Sequence, residues 1–354
     1  MDKKNIYAVV MAGGVGERFW PVSRTEHPKQ FSALFTGEPM LLTTVKRLKG
    51  FVADENLIIV TNSAYTAATR KVLKGRRGVR VIGEPVGKNT APAIAAAAAA
   101  VYRKNSKGLL LVFPADHIIK PLPAFIKTLK KGLALAEEGK LVLFGVVPNR
   151  PHTGLGYIEL GQPAGARVIG AFHVRRFVEK PGLAAATAFV ESRQYLWNCG
   201  IFAFGAGAIL AAFKKHMPDL YALLASALKA SSEKQFEKAI ETFYHKVRKE
   251  SIDYGVWEKS REIAVVKTHI YWNDVGSWDA FYDLLQKDSN KNVFKGPCVD
   301  LGSRNTMAVC DSGLVATCGL SNMVVVKQDD MVLVISGDRL GDIKQLVACI
   351  REKK

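Results

Sequence analysis

Residues 12–31 read AGGVGERFWPVSRTEHPKQF and follow the apolar run Ile6 to Met11, so a buried strand empties into a glycine-rich, cationic loop. That is the local geometry of a phosphate cradle. Gly13, Gly14 and Gly16 lack a Cβ, so the backbone after Ala12 can take positive φ and bring its N–H groups close to an anion. Arg18 and Lys29 add fixed positive charge. The two commonest phosphate patterns are not met. Phe19 stands where a dinucleotide fold carries its third glycine, and no glycine is followed by Lys-Ser or Lys-Thr as in a P-loop. A plain glycine turn after a strand would explain the glycines, but not their clustering with Arg18 and the turn Pro28-Lys29-Gln30.

Outward from this loop, the chain has room for one large domain and a smaller one, at 354 residues and 48% hydrophobic content. The formal charge of +18 raises the question of nucleic acid or an anionic membrane surface. The charges are spread in short clusters such as Lys74 to Arg80, and no nucleic-acid motif accompanies them, so neither partner is expected. A solvated basic surface that attracts phosphorylated substrates is the simpler reading. Cys199, Cys298, Cys310, Cys318 and Cys349 form no C-x-x-C pair and are odd in number, which points to neither a zinc site nor a disulfide framework. Met1 to Ala12 has a superficial likeness to a signal peptide, but its apolar part is short and feeds the glycine loop. The longest apolar run, Ala91 to Val101, is too short to span a bilayer, and a cytoplasmic protein is expected.

Apolar, β-rich runs at Ile6 to Met11, Leu57 to Thr61, Val79 to Ile82, Leu109 to Phe113 and Leu141 to Val147 alternate with helix-like segments. This predicts βαβ units and an α/β, Rossmann-like domain with a mostly parallel mixed sheet. Asn89-Thr90 and Pro92 are suited to start an alanine helix over Ala91 to Arg103. Strands over Tyr157 to Leu160, Arg167 to Val178 and Trp197 to Phe204 read as an insertion forming part of a pocket, and helical sequence dominates Ala206 to Arg248. After Gln286 the pattern changes to short β-branched runs punctuated by Gly, Asn and Asp, then a last helix around Leu340 to Arg351. A boundary near 288 is expected, with domains 1–288 and 289–354. The β-rich end is expected to carry none of the chemistry. Its apolar runs Met323 to Val326 and Met331 to Ile335 are expected to seek the main domain or a second subunit, so a homodimer is one expectation.

Other segments offer chemical groups. Asp116 follows the strand Leu109 to Phe113, at the carboxyl end where open α/β sheets bind ligands, and a carboxylate there suits Mg²⁺. Asp274 lies in a Gly-containing loop before a helix over Ser277 to Leu285, where Asp274 or Ser277 can equally cap the helix. Glu84 and Asn89 can make edge hydrogen bonds to a purine, although Asn89-Thr90 can also be no more than a cap. Glu179 and Lys180 can be a substrate pair or a surface ion pair of little worth. No G-x-S-x-G elbow and no H-E-x-x-H helix occur, so covalent nucleophilic catalysis has no support.

The pattern GG-x-G-x-R, followed by Pro-x-Ser-Arg and Pro-Lys-Gln, resembles the signature loop of the sugar-phosphate nucleotidylyltransferases. With Trp20 and SRTEHPKQF it is most similar to the mannose-1-phosphate guanylyltransferase family. The resemblance implies that Ala12, Gly13, Gly14 and Gly16 hold the nucleoside triphosphate, with Arg18 and Lys29 catalytic. It implies Glu84, Asn89, Thr90 and Asp116 as further nucleotide contacts, and Gly156, Glu179, Lys180 and Asn198 as sugar-phosphate contacts. It makes Asp116 and Asp274 the Mg²⁺ pair and the C-terminal end a small left-handed β-helix-like domain. Leu155 and Cys199 depart from the usual pattern, which bears on the choice of sugar. The implied reaction is transfer of GMP from GTP to mannose 1-phosphate, giving GDP-mannose and pyrophosphate. Two alternatives stand: another nucleotide or sugar 1-phosphate, or a non-catalytic regulatory protein of this fold. Retention of Arg18, Lys29, Asp116 and Asp274 speaks against the second. With so little chain after the β-rich end, a second, isomerase activity is not expected.

Overall fold

The structure, a computed structural model, describes residues 2–164 and 168–353. The expected strand start at Arg167 lies outside the described residues, as do the chain ends Met1 and Lys354. In chain order the main elements are β1 (Ile6–Met11), α1 (Met40–Arg47), β2 (Leu57–Asn62), α2 (Thr66–Val72), β3 (Arg80–Glu84), α3 (Thr90–Lys104), β4 (Leu109–Pro114), β5 (Ile118–Lys120), α4 (Leu122–Glu137) and β6 (Leu141–Val146). They continue with β7 (Tyr157–Pro163), β8 (Ala171–Val178), α5 (Leu183–Ser192), β9 (Tyr195–Gly205), α6 (Ala206–His216), α7 (Pro218–Lys229), α8 (Glu233–Lys246), β10 (Ile263–Thr268), β11 (Tyr271–Asn273) and α9 (Trp278–Leu284). The chain ends with β12 (Val293–Lys295), β13 (Cys298–Leu301), β14 (Met307–Cys310), β15 (Val315–Cys318), β16 (Met323–Gln328), β17 (Met331–Ser336) and α10 (Ile343–Glu352).

The chain divides into two compact units. The first contains residues 1–13, 44–115 and 119–272 and carries a nine-stranded mixed sheet ordered β3-β2-β1-β4-β9-β6-β10-β8-β7. The β3-β2-β1-β4 run and the β6-β10 pair are parallel. The sheet departs from parallel at β9, which runs antiparallel to β4 and β6, and at the β7-β8 pair. Strands such as β1, β4 and β6 read as unbroken apolar runs because both faces of the sheet are covered. α3 is buried from Ala91 through Val101, and its small side chains let it pack closely against β1, α6 and α7. At the carboxyl edge of the sheet the Ala115 N–H donates to the Met11 carbonyl at 3.0 Å, so the chain leaves β1 and β4 side by side. The order β2-β1-β4 makes this the switch point where such sheets bind ligands.

The second unit contains residues 14–43, 116–118 and 273–354. Its C-terminal part is β-helix-like. Parallel strands stack at an offset of 17 residues, Cys298 beside Val315 and Met307 beside Val324, and β17 closes the stack antiparallel to β16. Met307, Val309, Val324, Val326 and Leu333 point inward, into the same apolar core as Phe19, Phe35, Trp278 and Phe281. Phe19 meets the Phe35 ring edge-on at 4.7 Å and the Trp278 ring at 5.0 Å, near the favoured aromatic geometry. The loop segment and the C-terminal strands therefore share one core.

Candidate active site

In the second unit, the signature loop is shaped by a close approach. Gly16 has φ +80°, and a Cβ on it would stand 2.7 Å from the Lys29 Cβ. The Val15 carbonyl accepts the Lys29 N–H at 3.2 Å and also the Ser23 hydroxyl, which folds the loop back on the Pro28-Lys29-Gln30 turn. Lys29 is buried, its ammonium 5.4 Å from the centre of the Phe19 ring and 5.9 Å from that of Phe35. It donates to the Asp116 carboxylate at 2.8 Å and to the Asp274 main-chain carbonyl at 3.0 Å. Desolvation opposes the Asp116 charge most strongly, but the Lys29 ammonium, His117 and a backbone hydrogen bond together outweigh it and hold that carboxyl below its ordinary range. Arg18 is exposed and makes no ion pair among the described residues.

Asp274 is followed by a strained residue. The next residue, Val275, has φ +45°, a conformation that costs a β-branched side chain about 1–3 kcal/mol. Its side chain is fully buried in the aromatic core and its N–H donates to the Asn273 side chain at 2.6 Å, so packing holds the turn in place. Arg18, Lys29, Asp116 and Asp274 line one cavity of about 460 Å³, together with Gly16, His117 and Lys344. Charge of both signs on one cavity is what a polyphosphate with its counter-cation needs. Lys344 comes from the last helix, so the C-terminal end contributes a side chain to the lining of this cavity.

The first unit holds two further groups of side chains. Ala12 is committed to the sheet: its N–H donates to the Val60 carbonyl and its carbonyl accepts the Thr61 hydroxyl. Glu84, at the end of β3, is buried, and one of its carboxyl oxygens would lie 2.7 Å from a Cβ on Gly13. Burial pushes the Glu84 carboxyl up to about 7, with the Tyr244 hydroxyl, beside it but without a hydrogen bond of ordinary geometry, pulling it slightly down. Asn89, at φ +72°, caps α3 by accepting the Thr90 N–H, and the Thr90 hydroxyl accepts the Ile252 N–H at 2.9 Å. Both of those side chains therefore have structural work.

Gly156, Glu179, Lys180 and Asn198 come together. A Cβ on Gly156 would stand 2.6 Å from a Glu179 carboxylate oxygen, and its carbonyl accepts the Asn198 N–H at 2.8 Å. Lys180, at φ +50°, donates to the Glu179 carboxylate at 2.5 Å. Partial burial works against the Lys180 charge, but Glu179 beside it, with Tyr254 and Asp253, holds its pKa above the ordinary lysine value. Two members of this group escaped the sequence reading. The Asn198 amide donates to Asp253 at 3.1 Å, and the Glu258 carboxylate accepts the Glu179 main-chain N–H at 3.1 Å. Both sit on or beside a single π-helical turn, Asp253–Trp257, a local irregularity that is frequent at functional sites. Desolvation and the neighbouring Glu179 push the Asp253 carboxyl up to about 7. The run Ser251-Ile252-Asp253-Tyr254 carries no spacing signal that would have marked it.

The nucleotidyl transferase family model matches residues 7–291, and a mannose-P isomerase/GMP-like β-helix domain matches residues 296–349. The chain belongs to the nucleotidyl transferase family. Mannose-1-phosphate guanylyltransferase of Escherichia coli K12 is 39% identical over 99% of this chain and 74% of its own length. The enzyme of the same name from Salmonella montevideo is 39% identical over 98% of this chain and 74% of its own. A crystal structure from Thermus thermophilus, described as a mannose-1-phosphate geranyltransferase, superposes with a TM-score of 0.88 at 36% identity, covering 98% and 99% of the two chains. The chain is thus a nucleotidyltransferase of the mannose-1-phosphate guanylyltransferase group.

Proposed function

We propose that this nucleotidyltransferase moves GMP from GTP to mannose 1-phosphate, releasing pyrophosphate. The observation that carries the reading is the cavity in which Arg18 and Lys29 face Asp116 and Asp274, in a chain 39% identical to enzymes named for that reaction. A phosphate oxygen of the sugar 1-phosphate forms a bond to the α-phosphorus of GTP as the bond from that phosphorus to the bridging oxygen breaks. The bonding pair leaves with pyrophosphate, so no protein nucleophile is needed. Arg18, exposed and without an ion-pair partner among the described residues, neutralises the departing charge, while the buried Lys29 supplies a fixed positive charge in the cavity lining. Glu84, ionised on binding, accepts from the guanine N–H groups. Lys180 pairs with the sugar phosphate, and Glu179 and Asn198 take the hydroxyls.

Mg²⁺ on Asp116 and Asp274 is part of the proposal. Two carboxylates on one cavity suit this ion, which completes its octahedron with phosphate oxygens and water, and Asp116 is held in its ionised form. When bound, the ion would offset triphosphate charge that repels the anionic nucleophile. The five cysteines are free thiols, which suits action in the reducing cytoplasm.

A panel of GTP, ATP, UTP and dTTP against mannose and glucose 1-phosphates, scored by pyrophosphate release, tests the substrates. GTP with mannose 1-phosphate is expected to lead by at least tenfold, and a higher rate with another pair would replace the assignment. For the metal, Mn²⁺ binding by electron paramagnetic resonance is expected to weaken in Asp116→Asn and Asp274→Asn. Unchanged Mn²⁺ binding in both variants would remove the metal pair.

A further inference from the structure

Lys344 lines the same cavity as Arg18, Lys29, Asp116 and Asp274, although it lies more than three hundred residues from the signature loop. Its place there is held from two sides. Ile343 and Val347, on the buried face of α10, join the apolar core that contains Phe19. Arg351, two turns further along, pairs with Glu17 at 2.7 Å. The helix is therefore fastened to the Glu17–Phe19 turn on both sides of Arg18 in sequence, and Lys344 emerges next to the buried Ile343.

The charge of the cavity identifies what Lys344 is for. Lys29 is committed to the Asp116 carboxylate and the Asp274 carbonyl, and Glu17 is neutralised by Arg351. Arg18 and Lys344 are exposed and carry no hydrogen bond or ion pair among the described residues. A triphosphate brings several negative charges, which one committed lysine and one arginine do not balance. We propose that Lys344 is a polyphosphate-binding residue, contacting with Arg18 the terminal phosphates of the nucleotide and the pyrophosphate that leaves. The inference rests on the reading above that this cavity takes a nucleoside triphosphate.

The test is calorimetric titration of the full chain with inorganic pyrophosphate in Mg²⁺ buffer, for wild type, Lys344→Ala, Lys344→Arg and Lys353→Ala. Lys353 is exposed and outside the cavity, so its variant removes the same net charge elsewhere. Lys344→Ala is expected to weaken pyrophosphate about tenfold, the loss of one hydrogen bond to a charged group. Lys344→Arg should restore most of the affinity and Lys353→Ala should leave it unchanged. In turnover, the KM for GTP should rise in Lys344→Ala while that for mannose 1-phosphate stays within about twofold. Wild-type affinity in Lys344→Ala, or an equal loss in Lys353→Ala, would overturn the proposal. A wild-type chain that binds pyrophosphate but turns over no GTP with mannose 1-phosphate would sink the substrate reading alone, and the Lys344→Ala titration would still decide this one.

Discussion

Lys29 and Asp116 neutralise each other across 2.8 Å, with the lysine side chain 4% exposed and the aspartate 36%. The same ammonium holds the Asp274 main-chain carbonyl at 3.0 Å. One side chain thus ties the signature loop to the Asp116 carboxylate and to the backbone of Asp274. Sequence reasoning gives Lys29 and Arg18 the same task, but the structure separates them: one is a buried post, the other an exposed cation with no ion pair among the described residues.

The two cations should therefore answer differently to removal. Arg18→Ala is expected to lower kcat/KM by roughly 3 kcal/mol of transition-state stabilisation with an unchanged melting temperature. Lys29→Ala should lose activity and also roughly 2 kcal/mol of stability, because a partly buried carboxylate and a carbonyl lose their partner. Chemical denaturation beside steady-state kinetics checks both. Equal stability of the two variants would mean that the Lys29 contacts contribute nothing to folding.

Asp253 holds the Asn198 amide, whose oxygen also accepts the Gly200 N–H at 3.1 Å, so the orientation of that amide is set. Asp253→Asn is expected to raise the KM for the sugar 1-phosphate about tenfold, with a change under about twofold for GTP. Combined with Asn198→Ala the second change should add little, since the pair acts as one unit. A shift confined to the GTP KM would show that this cluster serves the nucleotide instead.

Glu84 makes stability depend on pH. Its carboxyl, ordinarily near 4.5, is pushed up to about 7 in the fold. Below about 4.5 both folded and unfolded chains keep the proton; between there and about 7 only the folded chain keeps it. The contribution is fully present in acid and is lost as pH rises through about 7, by on the order of 3 kcal/mol. Glu84→Gln should flatten this slope in denaturation curves taken between pH 5 and 8. A wild-type slope of the opposite sign, unaltered by the substitution, would contradict the assignment.

Removal of residues 289–354 tests the shared core. Met307, Val309, Val324 and Val326 pack in one cluster with Phe19, Phe35 and Trp278, so the truncated chain would expose those aromatics. Loss of activity and raised light scattering at equal concentration are expected. A monodisperse, fully active truncated chain would show that the signature loop folds without its C-terminal partners.

Much was legible along the chain because local pattern and local chemistry coincide. The unbroken apolar runs that became β1, β2, β4 and β6 announce strands buried on both faces, and the alanine run with Asn89 and Pro92 announces α3 and its start. The cradle after β1 is equally local, since glycines and cations within a few residues must share one loop. The antiparallel course of β9 is not local: an apolar strand carries no mark of the direction of its neighbours.

By itself the sequence determined the strands, the alanine helix, the glycine loop and, through resemblance, the family. Tertiary structure alone decided which groups meet. The Lys29 pairing with Asp116, the Asp253 contact to Asn198 and the entry of Lys344 into the cavity join residues remote in the chain. Charge pairing, burial and desolvation depend on distance in space, and spacing along a chain carries no record of that distance until the core has closed.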